Sequence, residues 1–293
     1  MIELSRRDLL KAGGAAAAGL ALGSLPDRVL SLLSAPEPPA GAWNHDPASP
    51  IGPSRWDDIG FPTCGDGISQ SPVNIQTAKV ASVGGSPLHL RYGPSELAVE
   101  NTGHVIEVPI PADVENTLQI GGDRYRMTQY HFHAPSEHAV NGRLADLEAH
   151  FVHTNASGGT AVVGLLFHIG HHGNEVVDRI LLAAPADAGE EADAGEASPA
   201  ELFLGVGGVR SGRGGPLRVN SFYAYDGSLT TPGCTQGVRW SVLANGGQVS
   251  PAAITHLHGV IARFPNYNGY PNNNRPVQAL NGRVIRHRGA RHE

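Results

Sequence analysis

Two short segments, Gln129-Tyr-His-Phe-His133 and Glu148-Ala-His-Phe-Val-His153, constrain this chain more than any other. In an extended strand, residues two apart point to the same side. His131 and His133 therefore aim at one point if the first segment is a strand. His150 on a neighbouring strand supplies a third imidazole to that point. Three neutral imidazoles leave a tetrahedral zinc with one open position for water, the layout of a catalytic zinc site. A fourth protein ligand would make it structural.

Histidine is abundant here, with 15 in 293 residues, so chance pairs are expected. His256-Leu-His258 is one of them. It lies in a stretch read as a helix over Pro251–Arg263, with Ser250 as N-cap and Pro251 at the first helical position. Two residues along a helix turn through about 200°, so that pair cannot chelate one ion. His171-His172 sits in a glycine-flanked turn and is read as exposed. The strand pattern around His131, His133 and His150 separates them from these pairs. Glu148, His150 and Val152 share one face of their strand, and Leu147, Ala149 and Phe151 share the other. Glu148 can accept the second ring N–H of a metal-bound histidine and so fix its tautomer. Gln129, two residues before His131, can do the same for the first segment.

Short Val/Ile/Leu runs separated by frequent glycine and proline (38 Gly, 22 Pro) point to many strands joined by turns. Strands are expected at 88–92, 97–101, 104–109, 117–120, 124–134, 146–155, 161–169, 217–225, 238–243 and 284–288. Helices are few: 174–183, part of 200–203, and 251–263. No internal repeat or second core is visible, so one mainly β (α+β) domain with a large, mostly antiparallel sheet is expected over 43–293. Trp43 and Trp56 are expected to anchor a Pro/Gly-rich wrap that precedes the first strand.

The formal charge of −6 is largely local. Asp187, Glu190, Glu191, Asp193 and Glu196 fall in one Ala/Gly-rich stretch, read as a solvated loop insertion. No basic patch or RNA-binding motif is present, which argues against nucleic acid as a partner. Ser5-Arg6-Arg7-Asp8-Leu9-Leu10-Lys11 carries paired arginines ahead of a weakly apolar run over 12–25. That run is too short and too glycine-rich for a stable membrane span, and it reads as a twin-arginine export signal. Residues 1–42 are accordingly signal and linker, with Ala40-Gly41-Ala42 as a cleavage candidate. In an exported chain, two cysteines most simply form one disulfide. Two buried thiols at Cys64 and Cys234 are the other reading.

The motifs together resemble the α-class carbonic anhydrases. They are His131-Phe-His133, Ser136-Glu-His138, Glu148-x-His150-x-Val-His153 and Gly227-Ser-Leu-Thr-Thr-Pro232. Ser69-Gln-Ser-Pro-Val-Asn-Ile75, Asn101-Thr-Gly-His104, Trp240 and Asn274-Arg-Pro-Val-Gln278 extend the match across nearly all of the chain after Trp43. The resemblance implies a central twisted sheet of ~10 strands with zinc at the bottom of a conical cleft. It also implies a Cys64–Cys234 bridge.

The implied reaction is reversible hydration of CO₂ to bicarbonate and a proton by a zinc-bound hydroxide, the work of a lyase (carbonate dehydratase). Zinc lowers the pKa of its water to about 7, an effect for which carbonic anhydrase is the standard example. By resemblance, Thr230 accepts from the hydroxide and donates to Glu137, an acceptor-only carboxylate when ionised. Val152, Val162, Leu229 and Trp240 line an apolar CO₂ pocket, and Thr231 contacts bicarbonate. His104 is the proton shuttle, suited by an ordinary pKa near 6.5. Four positions depart from the family pattern, the first being Thr102, which replaces a more usual second asparagine. His45 falls where a tyrosine is common, a residue that helps order the water chain to the shuttle. Glu107 is expected to raise His104 by charge attraction. Gly233 replaces a frequent second proline and is expected to loosen its loop. A non-catalytic carbonic-anhydrase-like binding module is the alternative function, disfavoured by the complete ligand set. A homodimer is left open.

Overall fold

The computed structural model describes residues 43–211 and 216–289. The export segment and its cleavage candidate lie outside the described residues. Those described fall in one compact unit, Pro36–Glu293.

Among the described residues, 15 strands join one sheet. Its central run is Thr117–Ile120, Asp123–His133, Leu147–Thr154, Thr160–Ile169, Gln236–Leu243 and Phe222–Ser228 in spatial order. Most pairings are antiparallel, and Thr160–Ile169 meets Gln236–Leu243 in parallel. The long Asp123–His133 strand serves two partners on one edge. Its first half pairs with Thr117–Ile120 and its second half with Ile106–Pro109.

Period-two patterning divides this sheet between two cores. Tyr130, Phe132, Leu147, Ala149, Phe151, Val163, Leu165 and Phe167 are buried in the larger cluster. The alternate residues face a smaller cluster around Val162, Leu166, Tyr225 and Trp240. Burying a side chain such as Phe132 or Phe151 contributes roughly 1.5–3 kcal/mol, so the large core holds the register strongly. A one-residue slip would send every one of these aromatics to the histidine face. The helix Glu175–Ala183 closes the larger core with Val176, Val177, Ile180 and Leu181. Asn174 caps it by accepting from the Val176 and Val177 N–H groups, and Pro185 follows its end. The helix Pro251–Ile261 starts as expected, with the Ser250 hydroxyl accepting from Ala253 N–H.

Two of the expected elements need correction. The acidic stretch is not wholly a loop, because Glu191–Ala197 forms a strand paired with Ser95–Asn101. Ala194 and Ala197 turn inward there while Glu191, Asp193 and Glu196 stay exposed, and a bulge between Asp193 and Glu196 breaks the period-two pattern. The 217–225 run is two strands, Leu217–Val219 and Phe222–Ser228.

Cys64 and Cys234 are bridged, 170 residues apart in sequence. They pack with Trp43 and Trp56, which pins the N-terminal wrap to the turn after Thr231. Gly233 sits at φ 99°, inaccessible to a proline ring. The turn is tight rather than loosened: Cys234 N–H donates to the Thr231 carbonyl and Leu229 N–H to that of Thr235.

Candidate metal centre

Antiparallel register brings the ligand histidines together. His150 lies directly opposite His131, and Glu148 lies opposite His133. The three ring centroids are 4.7–5.2 Å apart. Each ring has one nitrogen already engaged. His131 Nδ1 is 2.8 Å from Gln129 Oε1, His133 Nδ1 donates to the Asn273 carbonyl at 2.8 Å, and His150 Nε2 is 2.9 Å from Glu148 Oε1. This leaves His131 Nε2, His133 Nε2 and His150 Nδ1 facing a common point. One ligand atom from each histidine lies within 4.8 Å of the others. His133 Nε2 is buried and has no hydrogen-bond partner. An orphaned imidazole nitrogen in a set of three suits a borderline cation such as zinc.

A second group, His138, Glu148 and His150, also comes close enough to hold an ion. Its atoms are already committed to one another. His138 Nδ1 meets Glu148 Oε1 at 2.7 Å, and its Nε2 meets the Tyr225 hydroxyl at 2.6 Å. Glu148 Oε2 accepts the backbone N–H groups of Glu137 and His138. Burial alone would push the Glu148 carboxyl up. The imidazoles of His138 and His150 outweigh it and hold the group well below the usual carboxylate range. Gly164 makes room for this carboxylate, since an added Cβ would stand 2.9 Å from Glu148 Oε1.

The Ser136–His138 turn places Glu137 over the ligand atoms, with Oε2 3.6 Å from His133 Nε2 and 3.8 Å from His150 Nδ1. Glu137 Oε1 accepts the Arg275 backbone N–H at 2.8 Å. Burial raises the carboxyl to about 7, opposed by His150, this N–H and a hydrogen bond from Thr230. A cation on the three imidazoles would favour its anion. Burial lowers His133 to about 4, and it depresses His131 and His150 as well, so the ligands stay neutral.

Val162 and Trp240 are cross-strand neighbours, as are Val152 and Val162. With Leu229 they form one apolar wall, and the Trp240 ring meets His150 edge-on at 4.8 Å. Thr230 and Thr231 stand beside that wall at the end of the Phe222–Ser228 strand. His104 is buried and stacked on Trp43, with centroids 3.7 Å apart. Burial lowers its pKa to about 4, so desolvation outweighs any pull from Glu107, opposite to the expected direction.

Asn273 was not legible in the sequence. Besides its carbonyl on His133, its side chain accepts from Ala134 N–H and donates to the carbonyls of His104 and Phe132. A backbone carbonyl leaves no residue-type signal, although Asn273 immediately precedes the Asn274–Gln278 motif. Arg275, inside that motif, is buried and donates to Gln70 Oε1 and to the carbonyls of Ser71 and Cys64.

Fold and site together define a predominantly antiparallel sheet that carries three clustered histidines able to hold a metal ion. Residues 51–289 match the eukaryotic-type carbonic anhydrase family. A carbonic anhydrase of Pectobacterium atrosepticum is 33% identical over 237 residues, covering 80% of this chain and 87% of that protein. Alpha carbonic anhydrase 4 of Arabidopsis thaliana is 33% identical over 236 residues, with 80% and 81% covered. The α-carbonic anhydrase of Thermovibrio ammonificans, solved with the inhibitor sulfanilamide, superposes with a TM-score of 0.71 at 31% identity, covering 83% of this chain and 98% of that one. The chain belongs to the α-carbonic anhydrase family, and its reaction is the reversible hydration of CO₂. Residues 3–23 match the twin-arginine translocation signal, so the protein is exported by that route. No helix among the described residues is long and apolar enough to cross a membrane.

Proposed function

We propose that His131 Nε2, His133 Nε2 and His150 Nδ1 hold a catalytic zinc in a domain spanning 43–293. The observation that carries this reading is the hydrogen-bond pattern. Gln129, Asn273 and Glu148 engage one nitrogen of each ring and leave three mutually adjacent nitrogens. Zinc bound there supplies Lewis acidity, making a hydroxide available near neutral pH.

The protein's own groups then orient the reaction. Arg275 N–H fixes one Glu137 oxygen, so the carboxylate faces Thr230 in a set direction. An ionised Glu137 can only accept, so the Thr230 hydroxyl must donate to it. The lone pairs of Thr230 would then be free to accept a hydrogen bond from a water or hydroxide held at the metal site. CO₂ carries no net dipole, and Val152, Val162, Leu229 and Trp240 offer it an apolar wall without competing hydrogen bonds. Thr231 stands next in the chain to hold the polar product. His104 takes the departing proton only in passing, because burial holds its pKa near 4, and its two ring nitrogens have no protein partner.

The test is stopped-flow CO₂ hydration on protein lacking residues 1–42, with metal content measured on the same sample. Rapid hydration abolished by a chelator and by sulfanilamide is expected. A folded, zinc-loaded sample without hydration would overturn the assignment in favour of a binding module.

A further inference from the structure

One end of the sheet carries a surface that the reaction does not use. In spatial order its strands are Val209–Ser211, Leu217–Val219, Leu88–Arg91, Thr117–Ile120 and Asp123–His133. Leu88, Leu90, Leu118, Tyr125 and Val219 point from them into the larger core. Period-two alternation puts the intervening residues on the opposite, solvent face. Register lines them up there. Arg210 lies opposite Arg218, Arg218 opposite His89, His89 opposite Gln119, and Gln119 opposite Arg124. Neighbouring strands are ~4.8 Å apart, so this row runs about 19 Å across five strands. Arg91 and Arg126 flank Thr117 in a shorter second row beside it. The sequence shows no basic patch because these residues are scattered from 89 to 218; the pairing of strands assembles one.

The charge on this face is one-sided, although the chain as a whole is acidic at −6. Glu115 pairs with Arg124, and Arg126 donates to the Pro111 and Ala112 carbonyls. Among the described residues no carboxylate pairs with Arg91, Arg210 or Arg218. Like charges directly opposite each other destabilise a sheet, so Arg210 against Arg218 is unfavourable until an anion bridges them. Keeping an edge strand from pairing with another chain would account for Arg210 alone. Arg218, Arg91 and Arg124 lie on strands with partners on both sides, where no such protection is needed. Among the described residues the exposed large apolar side chains all lie on other segments, and none of them is aromatic. The face therefore has nothing to insert into a bilayer and no ring on which nucleic-acid bases could stack. What it offers beside its cations is His89 and Gln119, which hydrogen-bond hydroxyl groups.

We propose that this face binds a linear acidic polysaccharide, a polyuronate met after export, with carboxylates on Arg210, Arg218 and Arg91 and hydroxyls on His89 and Gln119. Guanidinium groups pair with carboxylates through two parallel N–H···O bonds, which suits them to this chemistry. A sugar ring spans a distance close to the strand spacing of ~4.8 Å, so a chain with one carboxylate per sugar can follow the row. Arg126 precedes His131 on the same strand by roughly 17 Å of extended chain, so the glycan leaves the metal site open.

The test is titration calorimetry of the zinc-loaded, exported protein with polygalacturonate, at low and moderate salt. Neutral dextran, phosphatidylglycerol vesicles and single-stranded DNA serve as comparison ligands. Polygalacturonate should bind, dextran should not, and vesicles and DNA should bind more weakly. The double variant Arg91→Gln, Arg218→Gln should weaken polygalacturonate binding by about tenfold or more and make its salt dependence shallower. Arg143→Gln with Arg286→Gln removes the same charge from exposed positions elsewhere and should stay within about twofold of the parent. CO₂ hydration should be unchanged in both double variants, which shows that they fold. No binding of polygalacturonate, equal affinities of the two double variants, or tighter binding of vesicles or DNA would each overturn the proposal. A protein that binds polygalacturonate through these arginines but does not hydrate CO₂ would uphold it while sinking the catalytic assignment.

Discussion

The metal-binding floor and the rim above it are built by different means. The floor is two hydrogen-bonded strands, and one register brings all three proposed ligands together at once. The rim consists of His45, His104, Glu137 and the Thr230–Thr231 turn, carried on segments far apart in sequence and tied by single contacts. Asn273, Arg275 and the Cys64–Cys234 bridge supply most of those ties. Strand geometry thus sets where a cation can sit, while long-range loop contacts set what the bound water can do. If the division is real, lesions in the two regions should separate metal binding from turnover.

The largest effect should come from the floor. His133→Ala removes a ligand whose other nitrogen is already fixed by Asn273. Zinc content should fall to background, and kcat/KM should drop by on the order of 10³-fold or more, since hydroxide is then scarce at neutral pH. Stoichiometric zinc in this variant, measured by plasma mass spectrometry, would mean that the His138–Glu148–His150 group binds instead.

The disulfide tests the rim's independence. The paired Cys64→Ser, Cys234→Ser variant should lose about 2–5 kcal/mol of stability in urea unfolding. It should still bind one zinc per chain, because the bridge's cluster contains no residue of either ligand strand. Loss of zinc in step with stability would show the two regions to be one cooperative unit.

Thr230→Ala should lower kcat/KM by about 10²-fold with metal content unchanged, comparable to deleting one preorganised hydrogen-bonding group. The readout is esterase and hydration rates at matched zinc occupancy. Equal loss of zinc would place Thr230 in the floor rather than the rim.

The same contrast explains what the sequence could and could not reveal. Period-two alternation made the ligand strands, both second-layer acceptors and the opposed core legible, because it depends only on neighbouring residues. The family motifs singled out Glu137, Thr230 and His104, whose catalytic roles are the proposal made above. Asn273 escaped because its contribution to His133 is a backbone carbonyl. The lowered pKa of His104 escaped because stacking on Trp43, 61 positions earlier, is a tertiary event. The strand Glu191–Ala197 escaped because alanines carry too little hydrophobic contrast to betray a buried face.

The last predicted effect concerns acid stability of the floor. His153 ends the second ligand strand, buried against Tyr92 with Nε2 2.9 Å from its hydroxyl. Burial pushes its pKa down to about 3. The unfolded chain has an ordinary imidazole near 6.5, so between those values the unfolded state binds the extra proton. The stability is therefore complete above pH ~6.5 and declines as pH falls toward 3, by at most about 1.4 kcal/mol per pH unit for this one group. His153→Phe should be less stable than the parent at pH 7.5, where the Tyr92 bond is lost, yet should lose less on going to pH 4.5. Urea midpoints of zinc-free protein at pH 7.5, 5.5 and 4.5 give the slopes directly. Because both proteins share the three ligand histidines, their titration cancels in the difference. Parallel slopes would show that His153 is hydrated and charges freely, and that the floor is less closed at its end than its register implies.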